Sequence, residues 1–183
     1  MILLKKLFFQ TGSISLKALF LDRDGVINKE KHYLYKIDDF EFIDGIFELC
    51  KFYQNNGFII IVITNQSGIA RGYYDDKDFT LLTNWMIDEF KKRDIDIAKV
   101  YHCPHHPDFT KECGCRKPDI GLILEAKEEF GLNLHDCVLV GDKISDIDAA
   151  KKADIKTAYL FDNGGCGATL EGVKTIHSFK EIC

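Results

Sequence analysis

The chain has 183 residues, 46% of them apolar, and its 24 Lys and Arg face 29 Asp and Glu for a formal charge of −5. That length suits one domain, and the apolar share can fill a core without disulfides. A net acidic chain lacks the broad basic surface on which bulk electrostatic binding of nucleic acid depends, so no nucleic-acid partner is expected.

The first residues, Met1 to Phe9, form an apolar run broken by Lys5 and Lys6, and no small-residue cleavage site follows. Residues 1–15 therefore read as an N-terminal extension, and residues 16–183 as one domain, with a monomer as the default. No stretch approaches the roughly 20 apolar residues that span a bilayer, so no membrane partner is expected. A cytoplasmic location follows, in which the seven cysteines stay reduced. Their odd count also fits a disulfide framework poorly.

Four short apolar runs, residues 17–21, 58–63, 136–140 and 156–160, are predicted strands, and 98–102 is a weaker fifth. Apolar residues at spacings of three and four predict helices over 45–55, 76–93, 119–130 and 145–152, with Gly57 and Gly131 at helix ends. Strands alternating with helices give an α/β fold: three layers, Rossmann-like, with a central parallel sheet covered on both faces. Such sheets bind ligands beyond the carboxyl ends of their strands.

The residues at those ends carry the chemistry. Asp22-Arg23-Asp24-Gly25 follows the first run, Thr64-Asn65-Gln66-Ser67-Gly68 the second, and Gly141-Asp142-Lys143 the fourth. Asp22 and Asp24 repel one another unless a cation sits near them, although Asp-Gly is also ordinary turn chemistry. Mg²⁺ takes oxygen ligands and needs only a few from the protein; Asp22, Asp142 and the backbone carbonyl of Asp24 would suffice. Asp146 is either a further carboxylate of this site or a charge favoured at a helix N-terminus.

Cys103-x-His105 and Cys113-x-Cys115 supply three thiolates and one imidazole, a set that suits tetrahedral Zn²⁺. His106 or His102 could take the place of His105. Four protein ligands leave no open position, so the site is structural. Gly114 would permit the reversal between the paired cysteines. A redox device is disfavoured because neither pair has C-x-x-C spacing.

Asp22-x-Asp24-Gly25-Val26, Thr64 after a buried strand, Lys117, and Gly141-Asp142 with Asp146 together resemble the signatures of the haloacid dehalogenase (HAD) superfamily of phosphatases, over residues 17 to 165. The resemblance implies phosphoryl transfer with Asp22 as nucleophile and Asp24 as general acid and base. Thr64, Lys117 and Mg²⁺ would stabilise the phosphoryl oxygens. The cysteine loop leading into Arg116-Lys117-Pro118, with Thr64 to Gly72, resembles the heptose 1,7-bisphosphate phosphatases of surface-polysaccharide precursor synthesis, and less closely the histidinol-phosphatases. It implies a sugar-phosphate substrate contacted by Arg116, Lys143, Asn65, Gln66, Ser67 and, at the rim, Tyr33. His32 stands where that family usually has Gly. The intervals between signatures leave no room for a large cap domain, so the pocket is expected to be open and rimmed by loops 28–36 and 103–115. Arg71 and Tyr73 read as a solvated helix-cap region. A non-catalytic zinc-stabilised scaffold is the rival class, but it would have no need of Asp22, Asp24, Thr64, Lys117 and Asp142 together.

Overall fold

The computed structural model describes residues 15–162, 164 and 173–183; all but the last residue of the expected extension lies outside them, as does Cys166. Six strands form one sheet: β1 (Lys17–Leu21), β2 (Phe58–Asn65), β3 (Ile97–Cys103), β4 (Val138–Gly141), β5 (Thr157–Phe161) and β6 (Lys174–Ile176). The helices are α1 (Ile46–Asn55), α2 (Ser67–Ala70), α3 (Asp76–Lys91), α4 (Gly121–Phe130) and α5 (Ile144–Lys152). The strand order is β3-β2-β1-β4-β5-β6, and every neighbouring pair is parallel.

Alternation along β1 shows why the sheet needs two covering layers. Leu19 and Leu21 join a core with Leu49 and Cys50 of α1 and Leu82, Met86 and Phe90 of α3. Ala18 and Phe20 join a second core with Leu122, Ile123 and Ala126 of α4 and Ala149 and Ala150 of α5. Each large side chain buried in this way contributes about 1.5–3 kcal/mol relative to exposure. Asp75 starts α3 with a capping box, accepting the Lys77 and Asp78 N–H groups while the Asp78 carboxylate accepts the Asp75 N–H. Gly57 and Gly131 adopt φ +79° and +66° just past the ends of α1 and α4, a conformation glycine reaches without steric cost.

The chain builds β2 and β3 to one side of β1, then crosses to build β4, β5 and β6 on the other. Between β1 and β4 the winding direction reverses, and the loops leaving their carboxyl ends part to form a crevice. The expected strands and helices are present with ends moved by one to two residues. Among the described residues, β6, which has three residues, and α2, which is one turn long, were not predicted, nor were the short 3-10 turns Ile37–Asp39, Leu134–Asp136 and Phe179–Glu181. Among the described residues no helix is long and apolar enough to cross a membrane.

Candidate active site

Asp22 directly follows β1, and its N–H donates to the Val140 carbonyl at 3.0 Å, fixing that position against β4. Its Oδ1 accepts the Arg23 N–H at 2.7 Å. Gly25 turns the chain away at φ +91°; a Cβ there would lie 2.2 Å from Asp142 Oδ2, so only glycine lets the two loops meet. Gly141 serves a similar close approach, since its Cβ would lie 2.2 Å from that of Asp146.

Lys117 is 4% exposed and reaches into the floor of the crevice. Its Nζ lies 3.1 Å from Asp22 Oδ1 and 2.6 Å from Asp146 Oδ1, and it donates to the Ile63 carbonyl at 2.8 Å. One hydrogen bond and two close ion pairs hold the cation in place. Burial works against its charge, but Asp146 and Asp22 outweigh that and raise its pKa. Asp146 fills both roles left open for it: Oδ1 faces Lys117, while Oδ2 accepts the Lys143 N–H at 3.0 Å and caps α5.

Asp22, Asp142 and Asp146 place carboxylate oxygens within 4.8 Å of one another. Burial pushes the Asp22 carboxyl up to about 6, with Lys117 pulling it down and Asp146 and Asp24 adding to the rise. Burial and then Asp22 push Asp142 up to about 7. Asp142 Oδ1 is buried and has no hydrogen-bond partner among the described residues. A crowded set of carboxylates with an orphaned oxygen fits a hard divalent cation.

Asp24 has a different setting. Arg23, 1% exposed, clamps its carboxylate through Nε and Nη2 at 3.0–3.2 Å and also donates to the Leu34 carbonyl at 3.0 Å. Gln66 Nε2 and Asn28 Nδ2 donate to the same carboxylate at 2.9 and 3.0 Å. Burial opposes ionisation, but Arg23, Asn28 and Gln66 more than offset it and lower the pKa. Gln66 Nε2 also donates to Thr64 Oγ1 at 2.8 Å, and its Oε1 accepts the Tyr74 hydroxyl at 2.5 Å.

The Gln66 side chain thus orients Asp24 and Thr64. The Asn65 amide is likewise engaged: its Nδ2 donates to the Lys117 carbonyl and its Oδ1 accepts the Lys117 N–H, both at 3.1 Å. Both residues border the cleft, yet their side-chain groups are turned to protein partners. Arg23, Asn28 and Tyr74 complete this network and were not singled out from sequence. A buried arginine beside Asp24 leaves no pattern that distinguishes it from a solvated one.

The cleft holds about 340 Å³ and is lined by Asp22, Asp24, Thr64, Ser67, Arg116 and Lys143 among others. Glu30, His32 and Tyr33 supply one rim, and Lys143 Nζ reaches Glu30 Oε2 at 3.0 Å across the mouth. Loop 103–115 does not line this cleft. It walls an adjoining hollow, and Arg116 borders both. Its cysteines and His105 converge on one point instead of lining the cleft.

Those four side chains are mutually placed for a metal. Cys103 Sγ lies 3.6 Å from Cys113 Sγ, 3.7 Å from His105 Nδ1 and 2.9 Å from Cys115 Sγ, and His105 Nδ1 lies 3.4 Å from Cys115 Sγ. A tetrahedron with zinc–sulfur bonds of about 2.3 Å has edges of about 3.8 Å, near three of these four separations. His102 faces Asp76 and Phe79, and His106 faces Arg71, so His105 is the histidine of the set. Gly114 has no left-handed φ, so the reversal does not draw on that freedom. Arg71 is also unlike its expectation: it caps α2, but it is partly buried between aromatic rings. Tyr73 is 55% exposed, as a solvated residue is.

A HAD-hydrolase-like family model matches residues 114–172. A HAD-like phosphatase from Mesorhizobium loti superposes with a TM-score of 0.82 at 29% identity, covering 92% of this chain and 83% of that one. The D,D-heptose 1,7-bisphosphate phosphatase of B. bronchiseptica, complexed with magnesium and phosphate, superposes at 0.80 and 26% identity, covering 91% and 96%. Sheet order, strand-end aspartates and these matches define a HAD-like phosphoric monoester hydrolase. The D-glycero-alpha-D-manno-heptose-1,7-bisphosphate 7-phosphatase of Campylobacter jejuni is 54% identical over 79% of this chain and 81% of its own length. The D-glycero-beta-D-manno-heptose-1,7-bisphosphate 7-phosphatase of Escherichia coli K12 is 42% identical over 82% and 81%. The chain belongs to the D-glycero-D-manno-heptose-1,7-bisphosphate 7-phosphatase family.

Proposed function

We propose that this chain removes the 7-phosphate of a D-glycero-D-manno-heptose 1,7-bisphosphate, leaving heptose 1-phosphate for the synthesis of nucleotide-activated heptose. The observation that carries the reading is the setting of Asp22: one oxygen is held by Lys117 and the Arg23 N–H, and the carboxylate sits beside the orphaned oxygen of Asp142. Mg²⁺ held by Asp22, Asp142 and the Asp24 carbonyl would neutralise phosphoryl oxygens and carboxylates at once. Zn²⁺ on Cys103, His105, Cys113 and Cys115 is structural, because four protein ligands leave no open position.

The reaction runs in two displacements. Asp22 attacks phosphorus, the bond from phosphorus to the C7 oxygen breaks, and that oxygen takes a proton from Asp24. Asp24 then accepts a proton from water, which attacks phosphorus and returns Asp22 as a free carboxylate with release of phosphate. Arg23 and Gln66 keep Asp24 ionised at rest; a phosphate dianion arriving beside it raises its pKa and supplies the reason to take up the proton. Thr64 and Lys117 face the transferring group, with the Lys117 ammonium ion-paired to Asp22 before the substrate arrives. Arg116, Lys143 and Tyr33 meet the remainder of the substrate.

The test is steady-state phosphate release from both heptose 1,7-bisphosphate anomers and from histidinol phosphate, with Mg²⁺, for the native chain and Asp22→Asn. Turnover of a heptose bisphosphate well above histidinol phosphate, abolished in Asp22→Asn, supports the proposal. Equal or greater turnover of histidinol phosphate, or full activity in Asp22→Asn, overturns it.

A further inference from the structure

We propose that Arg71 is a positioning residue for substrate recognition: it clamps the loop carrying Tyr33 against the metal-binding loop and so holds Tyr33 at the mouth of the cleft. The inference rests on the function proposed above. Its starting point is the backbone of residues 29–36, where two consecutive non-glycine residues, His32 at φ +47° and Tyr33 at φ +59°, occupy the left-handed region. Side chains rarely adopt that conformation, and a pair persists only where the surroundings enforce it.

Glu30 Oε1 accepts the His32 N–H at 2.9 Å, which fixes the base of the turn. The Tyr33 ring meets Tyr73 edge-on with centroids 4.7 Å apart, and the Arg71 guanidinium lies 5.8 Å from its centroid. The same guanidinium lies 4.6 Å from the centroid of Phe109, and its Nη2 donates to His106 Nε2 at 3.0 Å. Nε2 accepts there, and the other ring nitrogen, Nδ1, faces Asp108, 3.2 Å from its backbone N and 3.6 Å from its Oδ2. The Ala70 N–H donates to the Pro104 carbonyl at 3.2 Å, seating α2 on the same loop. One planar cation thus joins a ring on each loop. Lysine keeps the charge but not the plane or the fork, so it is a poor replacement.

Arg71 does not line the cleft around Asp22, so its loss acts on recognition and not on phosphoryl transfer. The test uses the full chain loaded with Mg²⁺ and Zn²⁺, as Arg71→Ala, Arg71→Lys and the double variant Arg71→Ala with His32→Gly. KM for the heptose bisphosphate rises about tenfold in Arg71→Ala while kcat stays within about twofold, and lysine recovers less than half of the loss. Amide exchange over residues 29–36, measured without substrate, quickens in Arg71→Ala. Glycine at position 32, which relieves the strain, recovers part of the KM. Unchanged KM and exchange overturn the proposal; so does a raised KM with unchanged exchange, which indicates direct contact, or a fall in kcat alone. If Arg71→Ala does not fold, Arg71→Lys carries the same readings. A chain that does not turn over the heptose bisphosphate overturns the proposed function, while exchange still tests the clamp.

Discussion

Replacing Lys117 with methionine removes the cation from the floor of the site at nearly constant volume. Asp22, Asp142 and Asp146 then lose the one buried ammonium among the described residues, since the side chain of Lys143 is 53% exposed. Breaking a buried ion pair by removing one partner costs about 3–5 kcal/mol, or about 10 °C in Tm for a domain of this size. The cost depends on pH through the acids and not through the lysine, whose raised pKa keeps it charged throughout the neutral range. Burial has pushed Asp22 up to about 6 and Asp142 up to about 7, above an ordinary value of 3.8 in the unfolded chain. For acids raised on folding, stability is greatest below the unfolded value and is lost as pH rises through the folded ones. Lys117→Met raises those values further, so its penalty is larger at about pH 8 than at about pH 5. Denaturant unfolding of the metal-free protein at both pH values measures it. Equal destabilisation at the two pH values, or none at about pH 8, refutes the assigned coupling. In the same variant kcat falls by about 10²–10³ with Mg²⁺ present, as expected for loss of one preorganised charge.

Three further outcomes follow from the geometry. Gly25→Ala forces a methyl group toward Asp142 Oδ2 at 2.2 Å on a left-handed residue, so Mg²⁺ affinity by calorimetry falls at least about tenfold while the α/β circular dichroism persists. Because the cation displaces protons from Asp22 and Asp142, the rise in Tm on adding Mg²⁺ is larger at about pH 8 than at about pH 5.5; an equal rise counts against the assigned ligands. Cys115→Ser lowers the zinc content, by mass spectrometry, from about one equivalent to below half and raises KM through Arg116, whose Nη1 donates to the His105 carbonyl at 3.2 Å. An unchanged zinc content removes Cys115 from the ligand set.

Much of the fold was legible because its strands are short, apolar and buried on both faces, and the polar residues that follow them mark the crevice. β6 was not legible: Lys174–Ile176 is three residues with one exposed charge, and it is a strand only because β5 offers an edge. Within the site, the residue types at strand ends pointed to the chemistry, but the direction of each side chain was not encoded in their spacing. Asn65 and Gln66 read as offering backbone and side-chain donors to a substrate; their side-chain amides bind Lys117 and Asp24, and both residues border the cleft. Arg23 read as one charged turn residue among others, yet it is buried, with Asp24, Gln66 and the Leu34 carbonyl accepting from its Nε and Nη2. Arg71 was assigned to solvent because the rings around it come from residues 33 and 109, far from it in sequence.

The reaction is defined by which phosphate leaves. The ³¹P spectrum of heptose 1,7-bisphosphate, followed during incubation with the native chain and Mg²⁺, reports this directly. The resonance of the C7 monoester is expected to disappear as inorganic phosphate grows, while the anomeric 1-phosphate resonance remains. Loss of the anomeric resonance, or no change in either, contradicts the proposed reaction.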